Sequence, residues 1–181
     1  ALLKKAGCKR IHYGVESGTE KILKVLNKNI TLGQVLKTFK ATKKIGIETL
    51  AYFMIGSPTE TREDILTTVK FYKKLNPDFT QITLMTPFPA TQIYKRALEE
   101  GVFENDYWKE FAKNPIPEFK TKYWTKELSN EELQELLVYA YKQFYVRPSY
   151  ILNRLMKIRS LPELLRKIKA GVKVMRMKIK K

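Results

Sequence analysis

Apolar positions along the chain follow two alternating periods. "RIHYGVES" puts Ile11, Tyr13 and Val15 on one side of an extended segment and His12, Gly14 and Glu16 on the other, the period-two signature of a strand. From Thr19 the spacing lengthens, and Ile22, Leu23 and Leu26 recur as on a helix. Thr31 opens a second helix with Gln34 three residues later, a pairing in which each side chain satisfies the other's backbone N–H. Leu32, Val35, Leu36 and Phe39 make its buried stripe, and Gly46 is its stop. "ETLAYFMIG" is a nearly continuous apolar run, which predicts a strand covered on both faces. "SPTETRED" breaks it and opens a helix carrying Ile65, Leu66, Val69 and Tyr72, stopped by Asn76 and Pro77. "FTQITLM" is a third strand, ended by "TPFPAT", and Ile93 to Leu98 start another helix.

Strands alternating with helices predict an α/β fold with about three parallel βα units. Residues 102–128 are rich in aromatics and charges without a clear period and read as an irregular extension. Ser129 with Glu132 then forms a second capping pair, and Leu133, Leu136, Leu137, Ala140 and Phe144 line one helical face. Arg147-Pro148 interrupts that helix, and Ser160 with Glu163 suggests a third capped start. The chain therefore divides into 1–103, an α/β region; 104–128, irregular; and 129–181, a helical tail expected to pack its Leu/Phe face on the helices of the sheet.

Composition adds limits. With 181 residues, 44% of them hydrophobic, the chain is long enough for one sizeable core. No apolar run is long enough to span a bilayer, and no signal peptide is visible. The chain opens inside the helix-like "ALLKKAGCKR" and is expected to be a piece of a longer protein. Its single cysteine, Cys8, excludes an internal disulfide and any multi-thiolate metal site built from this chain alone. It also fits a reducing, cytoplasmic compartment. Net charge is +17, but residues 147–181 hold twelve Lys and Arg against one acid, Glu163, so the tail carries +11 and the other 146 residues only +6. That charge reads as a solvated face of amphipathic helices, in preference to contact with nucleic acid or an anionic membrane surface.

Candidate chemistry gathers at the strand ends. Ligands of parallel α/β folds bind beyond the carboxyl ends of the strands, where "GVESG", "GSPTE" and "TPFPAT" fall. Glu16 shares the parity of His12 and Gly14, and a carboxylate there can accept hydrogen bonds from a ligand's hydroxyls, each worth about 1.5–3 kcal/mol. Gly14 and Gly18 would leave room for close approach. A cap on the next helix suits Glu16 equally well on parity alone, and Ser17 or Thr19 could do likewise; three polar turns on one sheet edge tilt the reading toward a site. Glu60 reads as an acid at a helix start, favoured by the dipole, and His12 as a satisfied interior histidine rather than a base.

"GVESGTEKIL", "FMIGSPTET" and "TLMTPFPAT", in this order, resemble the second half of a radical S-adenosylmethionine (radical SAM) domain. "FYVRPSYILNRLMKIRS" resembles the helical extension of the cobalamin-binding subgroup, which includes anaerobic porphyrin-ring cyclases and many carbon methyltransferases. The resemblance implies a partial (β/α) TIM-type barrel. It implies that Glu16, helped by Ser17, binds the ribose of S-adenosylmethionine. It implies that Met54 and Gly56 pack on adenine and that the backbone of Met85, Thr86 and Pro87 meets the adenine edge. Ala90 departs from the glycine common in "PFPGT". The three-cysteine motif of the four-iron four-sulfur (4Fe-4S) cluster and the glycine-glycine-glutamate motif are absent. The resemblance therefore implies a missing N-terminal half of the same protein that ligates the cluster, possession of a cobalamin region outside this chain in some members, and a small-molecule substrate for oxidoreduction or methyl transfer. It also implies that this chain is inactive by itself. The other readings are a nucleic-acid-binding module or tRNA-modifying radical SAM protein, motivated by the charge and by "KTKYWTK", though no recognised nucleic-acid motif is present. An ordinary metabolic TIM barrel is a third.

Overall fold

The computed structural model describes residues 1–156, 158 and 160–178. A short α1 (Leu2–Lys5) leads into β1 (Arg10–Glu16). Helices α2 (Glu20–Val25) and α3 (Leu32–Lys44) precede β2 (Glu48–Ile55), and α4 (Arg62–Leu75) precedes β3 (Phe79–Leu84). Then follow α5 (Gln92–Glu99), α6 (Tyr107–Lys113), α7 (Asn130–Tyr145), α8 (Pro148–Leu155) and α9 (Leu161–Met175). The strands form one parallel sheet in the order β1-β2-β3, so the α/β reading holds.

Local chemistry sets most helix starts. Thr31 with Gln34, Thr61 with Asp64 and Ser129 with Glu132 form complete capping boxes, and Thr19, Thr91 and Ser160 each accept one backbone N–H. Each such cap contributes about 1 kcal/mol. Asn76 ends α4 in the left-handed conformation, and Gly46 follows α3 at φ 71°.

One face of the sheet is covered. Val15, Ala51, Phe53, Ile55 and Ile82 pack with Phe39 of α3, with Ile65, Val69 and Tyr72 of α4, and with Leu133, Leu136 and Phe144 of α7. The other face is open: His12, Gly14, Gln81 and Thr83 are exposed, and Leu50, Tyr52 and Met54 are half-buried. β2 is thus not covered on both faces as its apolar run suggested. Three strands make one wall, and its inner row stays in contact with water.

The two sheet edges differ. β1 pairs with β2 alone among the described residues. The outer edge of β3 is sealed by two tyrosines of α7. Tyr141 Oη accepts from the Ile82 N–H (3.1 Å) and donates to the Ile82 C=O (2.9 Å). Tyr145 Oη does the same for the Thr80 N–H (3.2 Å) and C=O (2.6 Å). The spacing matches because four helical residues rise about 6.0 Å and two strand residues about 6.6 Å.

Residues 102–128 are not wholly irregular, since they hold α6. Tyr94, Phe103, Tyr107 and Trp124 form a second buried cluster with Trp108 and Phe119 beside it. In the tail, α7 buries Leu133, Leu136, Ala140 and Phe144 as its stripe predicted. By contrast, α8 and α9 bury no residue at all. The last part of the basic tail, 179–181, lies outside the described residues.

Candidate functional site

β1 ends in a bulge. Gly14 pairs with Tyr52 and Glu16 with Phe53, so Val15 is one residue too many on its strand. Glu16 takes φ 69°, and the Ser17 N–H donates to the Val15 C=O (2.9 Å). Ser17 lies on the helix side with Val15, fully buried, with Oγ 3.3 Å from Thr68 Oγ1 of α4. The Gly18 N–H donates to the same Thr68 hydroxyl (2.9 Å). A Cβ on Gly18 would lie 2.6 Å from Thr68 Cα and 2.7 Å from Phe71 Cβ. The room at Gly18 is therefore taken by α4, not by a ligand.

Glu16 itself stays on the open side. Its carboxylate folds over Gly14, where an added Cβ would lie 2.5 Å from Oε1. Gly14 leaves this space without displacing the carboxylate. Lys28, from the loop after α2, donates to Glu16 Oε1 (3.0 Å) and was not legible as a site residue. No described residue bonds Oε2. The cap on α2 is Thr19, whose hydroxyl accepts from the Ile22 N–H (3.3 Å), so Glu16 is not needed there. Nearby on the open face, His12 Nδ1 lies 3.0 Å from Tyr52 Oη. His12 is satisfied as expected, but on an exposed surface.

At the end of β2, Gly56 takes φ 83°. The N–H groups of Gly56 and Ser57 both donate to Glu60 Oε2 (2.7 and 3.0 Å). Glu60 is thus a fastener of the strand-to-helix turn, and Thr61 is the cap of α4. Burial pushes Glu60 up to about 7, outweighing the two backbone donors; Asp64 adds to the rise and Lys21 opposes it. Among the described residues Glu60 Oε1 and Ser57 Oγ are buried without a hydrogen-bond partner. Burial would also raise Asp64, but the Lys21 ammonium and the Thr61 N–H and hydroxyl hold it below the usual carboxylate range. Met54 projects half-buried from the open face. A Cβ on Gly56 would meet Leu133 Cδ2 at 3.0 Å, so that side of Gly56 belongs to α7.

At the end of β3, the Met85 N–H donates to the Ile55 C=O (2.8 Å) and adds one rung of pairing. Met85 and Pro87 are buried, and Thr86 is half-buried. Ala90 sits at φ 64°, a conformation that costs an alanine about 1 kcal/mol and a glycine almost nothing.

The site is therefore a wall at the carboxyl edge, with Glu16 and Met54 on its open side, 85–87 at its rim, and Ser17 and Gly56 on the covered side. Two cavities, of about 500 and 420 Å³, open instead at the amino ends of the strands. There the Arg10 and Arg154 guanidiniums lie 3.8 and 4.1 Å from the Phe79 ring, and both bond Glu48 (2.8 and 3.3 Å). Among the described residues no three His, Cys, Asp or Glu side chains gather as a metal site, and Cys8 is a free thiol. A thiolate-held iron–sulfur cluster does not fit this chain alone.

The family model described as the Radical SAM superfamily matches residues 1–72. An uncharacterized methyltransferase of Pyrococcus horikoshii is 35% identical over 151 residues, covering 83% of this chain and 32% of that one. The anaerobic magnesium-protoporphyrin IX monomethyl ester cyclase of Rubrivivax gelatinosus is 26% identical over 150 residues, covering 83% of this chain and 26% of that one. Among solved structures, coproporphyrinogen III oxidase of Escherichia coli, described as a radical SAM enzyme, matches with a TM-score of 0.49 at 19% identity, over 61% of this chain and 27% of that one. The chain spans about a third or less of the length of these proteins.

Proposed function

Residues 1–72 belong to the radical SAM superfamily, and from that premise we propose that this chain supplies the adenosine side of an S-adenosylmethionine pocket in a radical SAM enzyme. The observation that carries the reading is the Glu16 carboxylate, held on the open face above Gly14 with Oε1 on Lys28 and Oε2 left for a ligand. In this reading Glu16 Oε2 accepts from the ribose hydroxyls. Met54 packs on the adenine, and the backbone of Met85, Thr86 and Pro87 meets its edge. Ser17 and Gly56 act from behind: Ser17 ties the turn to α4, and Gly56 provides the left-handed turn that Glu60 fastens.

The remainder of the pocket belongs to a portion of the protein outside this chain, including the cysteines of a 4Fe-4S cluster. When bound, that cluster supplies the electron that activates S-adenosylmethionine. The open sheet face becomes a pocket once further strands close it, which removes water from the reacting groups. The reaction is radical-based methyl transfer or oxidoreduction of a small molecule, in line with the names of the methyltransferase and cyclase relatives. A cobalamin-binding region outside this chain belongs to the same proposal and rests on the tail's resemblance.

Calorimetric titration of S-adenosylmethionine into the full-length protein tests it. Loss of a charged acceptor weakens binding about 10- to 100-fold. Glu16→Ala is expected to fall in that range with an unchanged circular dichroism spectrum. Unchanged affinity would overturn the assignment.

A further inference from the structure

Helix α9 faces the protein with its polar side. Glu163, Arg166, Lys167 and Ala170 line the 420 Å³ cavity beside Arg10 and Phe79. These positions share one side of a helix. The opposite side carries Leu161, Leu164, Leu165, Ile168, Val172 and Met175, spaced as a single stripe. Of these, Leu161 is 69% exposed, Leu165 54%, Ile168 50% and Met175 56%. Helix α8 repeats the inversion. Its Tyr150 and Arg154 reach inward to the Asp78 carbonyl, while Ile151, Leu152 and Leu155, with Met156 just beyond, point outward and are exposed.

A helix docked by its core-facing stripe hides its apolar residues; these two consecutive helices show theirs. The charge is inverted to match. Glu163, the one acid among residues 147–181, pairs with Lys167 on the inward side (2.6 Å). Lys169, Lys173 and Arg176 are exposed along the flank of the outward stripe. The outward surfaces thus combine exposed apolar side chains on both helices, with Leu164 and Val172 half-buried among them, and, among the described residues, positive charge only. A bare strip of this kind marks an interaction surface, and its flanks select an anionic partner. Nucleic acid would use the lysines but leave the Leu and Ile side chains in water, and the stripe offers no aromatic ring for bases to stack on. A bilayer takes up both. Among the described residues no helix is long and apolar enough to cross a membrane, so the geometry is that of a helix lying in the interface.

We propose that α8 and α9 form an interfacial anchor for an anionic lipid bilayer, with Leu165 and Ile168 seated at the headgroup boundary and Lys169, Lys173 and Arg176 on the lipid headgroups. This replaces the solvated-face reading of the tail, which expected the apolar side to be buried.

The test is sedimentation of the full-length protein with vesicles of phosphatidylcholine alone and of phosphatidylcholine with about 30% phosphatidylglycerol, at low and high salt. The expected result is binding to the anionic vesicles, about tenfold or more stronger than to neutral ones and weakened by salt. Leu165→Ser with Ile168→Ser should reduce that binding about tenfold although every charge remains. Lys169→Glu with Lys173→Glu should reduce it as well, at an unchanged thermal midpoint, which separates lost binding from lost folding. The proposal is overturned by absence of vesicle binding, by equal binding to both vesicle types, or by full binding of the Leu165/Ile168 variant. It is also overturned if that variant instead converts an oligomer to a monomer, or if RNA binds and displaces the protein from vesicles regardless of the apolar substitutions.

Discussion

At Gly14 a single hydrogen decides whether Glu16 can reach its position. An alanine would put Cβ 2.5 Å from Glu16 Oε1 and 3.2 Å from Lys28 Nζ, and the carboxylate end would have to swing aside. Gly14→Ala is therefore expected to weaken S-adenosylmethionine binding, by less than Glu16→Ala, although it removes no functional group; the same titration reads both, and a loss in Gly14→Ala larger than in Glu16→Ala would count against the placement of Glu16. Glu60 makes a second residue-scale prediction. Its folded pKa, about 7, lies above its ordinary 4.5. Its contribution thus favours folding fully below about 4.5, is lost as pH rises through 7, and opposes folding above that. The shift corresponds to at most about 3 kcal/mol. Urea midpoints of Glu60→Gln and wild type are expected to diverge in favour of the variant between pH 4.5 and 8, and parallel curves would count against it. Alternation alone was enough to set Glu16 with Gly14, and it also puts Ser17 on the face of Val15, where the structure buries it; the family resemblance, not the period, set Ser17 beside the ligand. The bulge at Val15 itself leaves no mark in "GVESG". Lys28 was invisible because a loop has no period.

At the scale of elements, α7 acts as a substitute strand. Tyr141→Phe and Tyr145→Phe remove only a hydroxyl, yet each leaves an N–H and a C=O of β3 without its partner. Each is expected to cost about 1–3 kcal/mol in urea denaturation, and a cost below about 0.5 kcal/mol would show that water replaces the tyrosine without loss. Burial pushes the Tyr145 hydroxyl up to about 12, so it keeps its proton throughout the usable pH range. The Leu/Ala/Phe stripe of α7 was legible because helix periodicity and a capping box are local. The role of Tyr141 and Tyr145 was not, since it depends on which strand ends the sheet. α6 escaped for a related reason: its seven residues carry no apolar period and are held by the ring cluster of Tyr107, Trp108, Phe111 and Phe119.

At the scale of the whole molecule, the continuous run of β2 correctly announced a parallel sheet but not what covers its second face. In the proposed reading, that information lies in strands outside this chain. Among the described residues β1 pairs with β2 alone, so its outer edge offers unpaired N–H and C=O groups, a template for another chain. The 181-residue chain is expected to self-associate in sedimentation while the full-length protein does not; a clean monomer at high concentration would mean that the edge is covered. The tyrosine seal on the opposite edge has a consequence in time. Tyr141 and Tyr145 lie 59 and 65 residues after the rungs they close. Translation proceeds at about 5–20 residues per second, so β3 emerges roughly 3–13 s before its seal is made. During that interval the β3 edge of the nascent sheet is bare, and synthesis of this protein passes through a window in which a chaperone, or a neighbouring nascent chain, can reach an edge that the finished molecule never shows.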